Sequence, residues 1–310
     1  MDIVRLTNSE ISKGPSLMPK LHIQFTLFSA FYSPLISTMT GNFLKEEGFD
    51  YEWSTARPGT SALNALQEGT AHVVQSTISQ GFTSLERGEQ PKSRHFALIN
   101  NMDGFFLSGR QADDNFSWSS LEGADVIVHH GGQPMTMFKY ACYKAGIDIT
   151  KINIIDAGNA QEMDLAFRSG QADYIHQQGP GPQQLEADGL GHVLTALGPM
   201  VGACAFSSLA AMPAWIESDE GRDFCRAYAK SRKYISSTPA AEIAKAQNPL
   251  FPKIEEKVLK QCIQSYQEMG CWPENMQISE EGFEAMLDIF AFDGKISRRH
   301  SYDEICMEVN

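Results

Sequence analysis

Polar side chains that are able to bind a small molecule follow two short apolar runs of the sequence. Gln75, Ser76 and Thr77 come after the first run, and Gln177 and Gln178 come after the second. Amides and hydroxyls donate and accept hydrogen bonds but offer neither a strong base nor an activated nucleophile. We therefore predict that Gln75, Ser76, Thr77 and Gln178 bind a ligand, whereas polar surface loops of the same composition are the alternative.

Two glycine-containing turns precede predicted helices. Gly59 and Thr60 precede one helix, and Gly131, Gly132 and Gln133 precede the other. Free backbone N–H groups and the helix dipole at such an end attract a carboxylate, a sulfonate or a phosphate. We predict that these five residues contribute to a ligand site, although ordinary helix capping uses the same residue types.

Aromatic side chains follow the first predicted strand. Phe28, Phe31 and Tyr32 lie in a loop that is expected to open on the site, where planar rings pack against a ring of a ligand. Asn101 lies near the point where the chain leaves its first half, and we predict that it lines the site or belongs to a hinge. Packing of the aromatic rings within the protein is the alternative.

Two further residues bear on catalysis. His129 is a candidate for a hydrogen bond to a ligand, but adjacent residues of an extended segment point to opposite faces, so His129 and His130 do not chelate one metal. Cys204 has no neighbouring base or cation in the sequence, which predicts a buried, unreactive thiol. We predict no catalytic residue, metal or cofactor.

A ten-residue sequence motif that occurs twice, which we call the repeated phrase, indicates where these residues lie in the fold. Residues 65–74 and 166–175 each read as the end of an amphipathic helix, a stopping glycine and a short apolar strand. Two such α/β units indicate two lobes with a ligand cleft between them. The loops after the two strands are expected to form equivalent edges of that cleft.

The local patterns also give the neighbouring elements. They predict a strand over 22–27, helices over 34–47 and from Thr60 or Ser61, a helix over 134–145, and helices near 220–236, 254–268 and 280–290. The tail after residue 298 shows no pattern.

Composition limits the class of protein. The chain has 310 residues, 42% of them hydrophobic, and a net charge of −13, which fits a two-lobed globular protein and disfavours binding to nucleic acid. Residues 1–19 are polar without the apolar core of an export signal, and no stretch is apolar enough to insert into a membrane. The six scattered cysteines indicate reduced thiols. We expect a cytoplasmic protein as the sequence stands, or a periplasmic one if the gene start is misassigned.

The order of the motifs resembles a known family. The segment Asn42–Phe49, the repeated phrase, the turn at Gly131-Gly132, Lys144–Asp148 and Gln184–Gly189 are similar to motifs of the nitrate, sulfonate, taurine and thiamine-pyrimidine group of periplasmic-binding-protein-like proteins (SsuA/THI5-like, NMT1-like). The resemblance implies an α/β type II periplasmic-binding-protein fold of two lobes joined by two crossing strands. We expect residues 20–104 and 205–310 to form lobe 1, residues 105–204 to form lobe 2, and residues 1–19 to be an extension.

The same resemblance leaves the function open between a transport receptor and an enzyme. In the thiamine-pyrimidine synthases a lysine and a histidine follow the first unit, and a cysteine-rich segment lies further on. Here Ser76 and Gln80 stand at the first two positions, and Cys204 alone is kept of the cysteines. The aromatic sulfinate desulfinases use a cysteine in the loop after the first strand, and residues 28–33 contain none.

We therefore predict a solute-binding protein of ABC-transporter type that closes on a small planar or anionic organic molecule, with an ABC permease as partner. A cytoplasmic enzyme on the same fold and a cytoplasmic ligand sensor are the alternatives.

Overall fold

The computed structural model describes residues 20–57 and 60–309. The predicted extension 1–19 and Gly59 therefore lie outside the described residues.

The strands in the described part of the chain are β1 (Lys20–Phe25), β2 (Asp50–Thr55), β3 (Val73–Ser76), β4 (Arg94–Asn100), β5 (Phe105–Gly109), β6 (Asp125–Ile127), β7 (Asn153–Ile155), β8 (Tyr174–Gln178), β9 (His192–Ala196) and β10 (Ser207–Ala211). They form two sheets of five strands, in the orders β2-β1-β3-β10-β4 and β7-β6-β8-β5-β9. In each sheet the first three strands are parallel and the fourth is antiparallel to both of its neighbours.

The α-helices are α1 (Ser33–Thr40), α2 (Phe43–Glu46), α3 (Leu63–Gln67), α4 (Ser79–Glu86), α5 (Gly132–Lys144), α6 (Ala160–Arg168), α7 (Gly181–Ala187), α8 (Gly198–Val201), α9 (Pro213–Ile216), α10 (Asp219–Ser237), α11 (Ala240–Gln247), α12 (Glu256–Glu268), α13 (Glu280–Phe292) and α14 (Tyr302–Ile305). Short 3₁₀ helices lie at Ala30–Tyr32, Trp118–Leu121, Ile149–Lys151 and Asn248–Leu250.

The repeated phrase has the predicted structure in both copies. In the first copy α3 ends before Gly69 and β3 follows, and in the second α6 ends before Gly170 and β8 follows. Both glycines have positive φ, +69° and +91°, a conformation that strongly favours glycine and ends the helix. Strands β3 and β8 hold the third place in their sheets, so the two-lobed α/β fold predicted from the phrase is confirmed.

The chain passes between the sheets at residues 101–104 and again at 197–206. These crossings fall beside the proposed lobe boundaries, and we use lobe 1 and lobe 2 for the parts carrying the first and the second sheet. A turn forms the first crossing, and the second contains α8. Aromatic and aliphatic side chains of both lobes form one continuous buried core around these crossings.

Three expectations from the sequence, two of them helices, needed correction. The helix predicted over 34–47 is broken into α1 and α2 by Asn42, whose φ of 62° does not continue a helix. The helix expected to begin at Thr60 or Ser61 begins after Ala62, and the Ser61 hydroxyl instead accepts a hydrogen bond from the Leu63 N–H. The tail forms α14, and Cys306 makes a β-bridge with His95 of lobe 1.

Candidate functional site

A cavity of about 290 Å³ lies between the two lobes. Lobe 1 contributes the loop after β1 and Ile254, while lobe 2 contributes α6, the start of α7 and the end of β8. The lining residues are Leu27, Phe28, Ser29, Phe105, His129, Ala160, Gln161, Met163, Asp164, Arg168, His176, Gln177, Gln178, Gly179, Pro180, Gly181, Gln184 and Ile254. Of the predicted site residues, the structure brings Phe28, His129 and Gln178 to this cavity.

Gln75 supports the wall of the cavity without lining it. Its buried amide oxygen accepts hydrogen bonds from the backbone N–H groups of Thr26 (3.0 Å) and Leu27 (3.2 Å). The loop then reaches lobe 2, where the Ser29 hydroxyl donates to the Gly179 carbonyl at 2.6 Å. Gln75, which the sequence predicts as a ligand residue, lies within β3 and fixes the shape of the lobe 1 loop instead.

The three predicted aromatic residues have different surroundings. Phe28 is half-buried and stacks on Trp53 (4.5 Å between centroids) and Phe251 (5.0 Å). The faces of its ring, which the sequence predicts to contact a ligand, therefore pack against other side chains of lobe 1. Phe31 is fully buried and packs against Tyr266. Tyr32 is also buried, and its hydroxyl accepts a hydrogen bond from Gln178 Nε2 at 3.3 Å. Phe31 and Tyr32 do not reach the cavity, because the 3₁₀ helix turns them into the core.

Two histidines lie on the lobe 2 side of the cavity. His176 is fully buried, stacks on Phe105 with 4.4 Å between ring centroids, and lies 5.3 Å from the ring of Phe138. Burial lowers the pKa of His176 well below its usual value, and burial also lowers the pKa of His129. Both rings are therefore neutral at pH 7, each with one nitrogen that donates and one that accepts.

Helix α6 positions a charged network at the edge of the cavity. The helix starts at a capping box, in which the Asn159 side chain accepts from Gln161 N and Glu162 N, and Glu162 accepts from Asn159 N. One turn later, Asp164 and Arg168 lie on the same face and pair at 2.5 Å. Arg168 also binds Asp188 at 2.7 Å, just beyond the end of α7.

Two glutamine side chains donate hydrogen bonds to the carboxylates that pair with Arg168. Gln177 Nε2 donates to Asp164 at 3.4 Å, and Gln184 Nε2 donates to Asp188 at 2.9 Å. Hydrogen bonding to Arg168 lowers the pKa of Asp188, so this carboxyl is ionised at pH 7. The charged groups are therefore bonded to one another and to the amides.

Other predicted residues lie away from this cavity. Thr77 and Gln133 bond directly across the lobes, and Ser79 donates to the same Gln133 oxygen at 2.9 Å. Gly131 and Gly132 are exposed at the start of α5 and do not line the cavity. Thr60, which is exposed, and Ser76, which is buried, do not line it either. The two loops predicted as equivalent edges are thus not equivalent: the loop after β8 lines the cavity, and the loop after β3 joins the lobes.

Asn101 and Cys204 line a second depression of about 280 Å³ near the crossings. Cys204 is 2% exposed, and burial raises its pKa far above the usual range, which keeps the thiol protonated. The buried, unreactive thiol predicted from the sequence agrees with this environment.

In residues 20–57 and 60–309, no three His, Cys, Asp or Glu side chains are grouped to hold a metal ion. No helix there has the length and apolar character required to cross a bilayer.

Sequence reasoning missed Asp164, Arg168 and Gln184. Arg168 lies inside the second copy of the repeated phrase, where the first copy has Gln67, and Asp164 precedes it by four residues. A charged i,i+4 pair beside the phrase was the available signal. Gln184 comes from a separate helix, and no local pattern links it to the others.

Two α/β lobes with this strand order, two crossings and a cavity between the lobes define the type II solute-binding fold. Residues 32–242, about two thirds of the chain, match the sequence model of the family described as NMT1/THI5 like, and the chain belongs to this family. The resemblance stated from the motifs is confirmed.

The relatives include named binding proteins. The putative binding protein YtlA of Bacillus subtilis is 23% identical over 297 residues, which cover 94% of this chain and 89% of that protein. The alkanesulfonate-binding protein SsuA from Xanthomonas axonopodis pv. citri, bound to MOPS, superposes with a TM-score of 0.72 at 14% identity, over 93% of this chain and 98% of that one. The nitrate-binding protein NrtA from Synechocystis PCC 6803 gives a TM-score of 0.67 at 12% identity, over 92% and 83%. The two structures show a shared fold.

Proposed function

We propose that this protein is a solute-binding protein of ABC-transporter type that closes its two lobes on a small organic molecule. The observation that carries the proposal is the cavity whose walls come from both lobes, with Phe28 and Ile254 on one side and His176 and Gln184 on the other. A molecule bound there contacts both lobes at once, so binding favours the closed arrangement.

The size and lining of the cavity support a small ligand. Its volume of about 290 Å³ lies just below the usual range for small-molecule sites, about 300 to 1,000 Å³. Leu27, Met163 and Ile254 give apolar contact, while the histidines and glutamines offer hydrogen bonds. The sequence predicts a planar or anionic molecule, and both kinds fit a cavity of this size.

The relatives support the transport role and a permease partner. SsuA and NrtA are named as binding proteins for alkanesulfonate and nitrate, and a further structure of the same fold, from Staphylococcus aureus, is named as the ligand-binding component of an ABC-type import system. We extend this role to the present chain, which would deliver its ligand to an ABC permease.

Native mass spectrometry of the purified protein, incubated with a small-molecule metabolite extract, tests the proposal. We expect one small molecule to be retained with unchanged mass over hours, and Cys204→Ala to retain it equally. Retention of no molecule by the folded protein would contradict binding. An enzyme would instead release a product whose mass differs from that of the captured molecule. If Cys204→Ala or His129→Ala abolished formation of that product, the enzyme alternative would be established.

A further inference from the structure

Unpartnered polar atoms are concentrated in the residues that line the cavity. In the described part of the chain, buried side-chain atoms without a hydrogen-bond partner include six that belong to lining residues: His129 Nδ1, both ring nitrogens of His176, and the Oε1 atoms of Gln177, Gln178 and Gln184. Buried polar groups in proteins are nearly always hydrogen-bonded. Six such atoms around one cavity are therefore the groups that a bound molecule would satisfy.

Two of these amide oxygens are fixed as acceptors. Gln177 and Gln184 each donate their Nε2 to a carboxylate, that of Asp164 at 3.4 Å and that of Asp188 at 2.9 Å. A carboxylate only accepts, so a rotated amide would place its oxygen against another acceptor. The oxygens of Gln177 and Gln184 therefore remain free to accept hydrogen bonds from a ligand.

The positive charge of Arg168 is balanced by two carboxylates. It donates to Asp164 at 2.5 Å and to Asp188 at 2.7 Å, and it is the only Lys or Arg among the described residues that line the cavity. Asp164 is the carboxylate of the lining, so the charges of the lining cancel, and Asp188 adds a further negative charge beside Arg168. Arg168 orients the two carboxylates, and these orient the two amides.

We propose that the cavity selects a small molecule that presents N–H donors to Gln177 and Gln184 and carries no negative charge. Amides, amidines and amino-substituted rings have this chemistry. The inference rests on the proposed solute-binding function and narrows its ligand to one of the two kinds that the sequence allows. His129 and His176 supply the remaining donor and acceptor positions.

The selection is opposite to that expected for nitrate or a sulfonate. The charged end of such an anion accepts hydrogen bonds but donates none, so it would leave the oxygens of Gln177 and Gln184 unpaired and would face Asp164. Each buried acceptor left unpaired weakens binding by about 5- to 150-fold. The named ligands of SsuA and NrtA are therefore the wrong kind of molecule for this cavity.

Four benzene derivatives that share one ring test the charge and donor requirement. Benzamide and benzamidine carry N–H donors without negative charge, while benzoate and benzenesulfonate are acceptor-only anions. We expect isothermal titration calorimetry with the full chain to give benzamide or benzamidine a Kd at least tenfold below that of either anion.

A variant pair tests the orienting role of the carboxylates. Asp188→Asn removes the carboxylate that fixes Gln184, and we expect the Kd of the better donor probe to rise by about three- to tenfold. Gln184→Met keeps the side-chain length, removes the acceptor and should give a similar rise. Asp219→Asn is the matched control, because Asp219 forms an exposed pair with Arg222 on α10. A Kd unchanged in both cavity variants would contradict the role assigned to Gln184.

The outcomes separate this inference from the proposed function. Benzoate or benzenesulfonate binding as tightly as benzamide would overturn the inference and leave solute binding intact. If none of the four probes binds, the molecule captured from a metabolite extract tests the inference. A captured molecule with N–H donors and no negative charge would uphold it, and a captured sulfonate, carboxylate or phosphate would overturn it. Capture of no molecule at all would overturn both.

Discussion

Replacing Gln133 by alanine tests how the lobes are held together. The Gln133 amide belongs to α5 of lobe 2, two of its hydrogen-bond partners belong to lobe 1, and the third is the last residue of the second crossing. Its oxygen accepts from Thr77 and from Ser79 (2.9 Å), and its nitrogen donates to the Phe206 carbonyl at 2.7 Å. The side chain is only 7% exposed, so these bonds are made away from bulk water.

The expected cost of Gln133→Ala follows from the count of bonds. A net value of about 1 kcal/mol for each of three hydrogen bonds gives a loss of about 3 kcal/mol in the free energy of unfolding. Since Thr77 and Ser79 lie on the other lobe, separating the lobes would break two of the three bonds. Their loss, about 2 kcal/mol, would then shift the equilibrium between packed and separated lobes by about 30-fold.

Urea denaturation and small-angle X-ray scattering measure the two effects of Gln133→Ala. We expect a lower free energy of unfolding and a larger radius of gyration. Gln171→Ala is the control, because Gln171 is exposed and should change the free energy of unfolding by less than about 0.5 kcal/mol. A change for Gln133→Ala as small as that of the control, with an unaltered radius of gyration, would refute the reasoning.

Three further predictions concern the core. Phe31→Ala should lower the free energy of unfolding by about 3 to 5 kcal/mol in urea denaturation, because the ring is fully buried; a loss below 1 kcal/mol would contradict a core position. Burial raises the pKa of Asp103 to about 7 from an ordinary value of 3.8, so its contribution to stability is present below pH 4 and is lost as the pH rises through 7, by about 4 kcal/mol in all. Asp103→Asn should remove that pH dependence from the free energy of unfolding, measured by urea denaturation between pH 4 and 8. A variant whose free energy of unfolding changes with pH as that of the wild type does would contradict the prediction. All six cysteines are buried, so iodoacetamide at pH 8 should leave the native protein unmodified and alkylate six thiols in urea; rapid alkylation of native Cys204 would contradict its burial.

The fold could be predicted from the sequence because its signals are local. Each copy of the repeated phrase combines a helix, a glycine of positive φ and a strand within ten residues. The glycines at 69 and 170 and the apolar runs that follow them require no knowledge of distant residues. The break at Asn42 was missed, since a positive φ at a residue other than glycine has no strong local signal.

The sequence predicted only some of the residues that line the cavity. Long-range contacts decide which polar side chains face the cavity and which bond within the protein. Gln75 and Gln178 look alike in sequence, yet the oxygen of Gln75 is used by the loop after β1, while that of Gln178 is unpartnered. Thr77 and Gln133 meet only when the lobes pack together. The pairing of Arg168 with Asp188 spans twenty residues, and it adds a second carboxylate beside the cavity.

Filling the cavity tests the central claim, that the space between the lobes binds a small molecule. Gly181 lines the cavity, and a Cβ added there would lie 3.4 Å from Gln177 Oε1, an ordinary contact, so Gly181→Met should fold and occupy the space. Ala187→Met on the exposed end of the same helix is the matched control. In native mass spectrometry after exposure to a metabolite extract, we expect the wild type and Ala187→Met to retain a small molecule and folded Gly181→Met to lose it. Equal retention by all three proteins would contradict the claim.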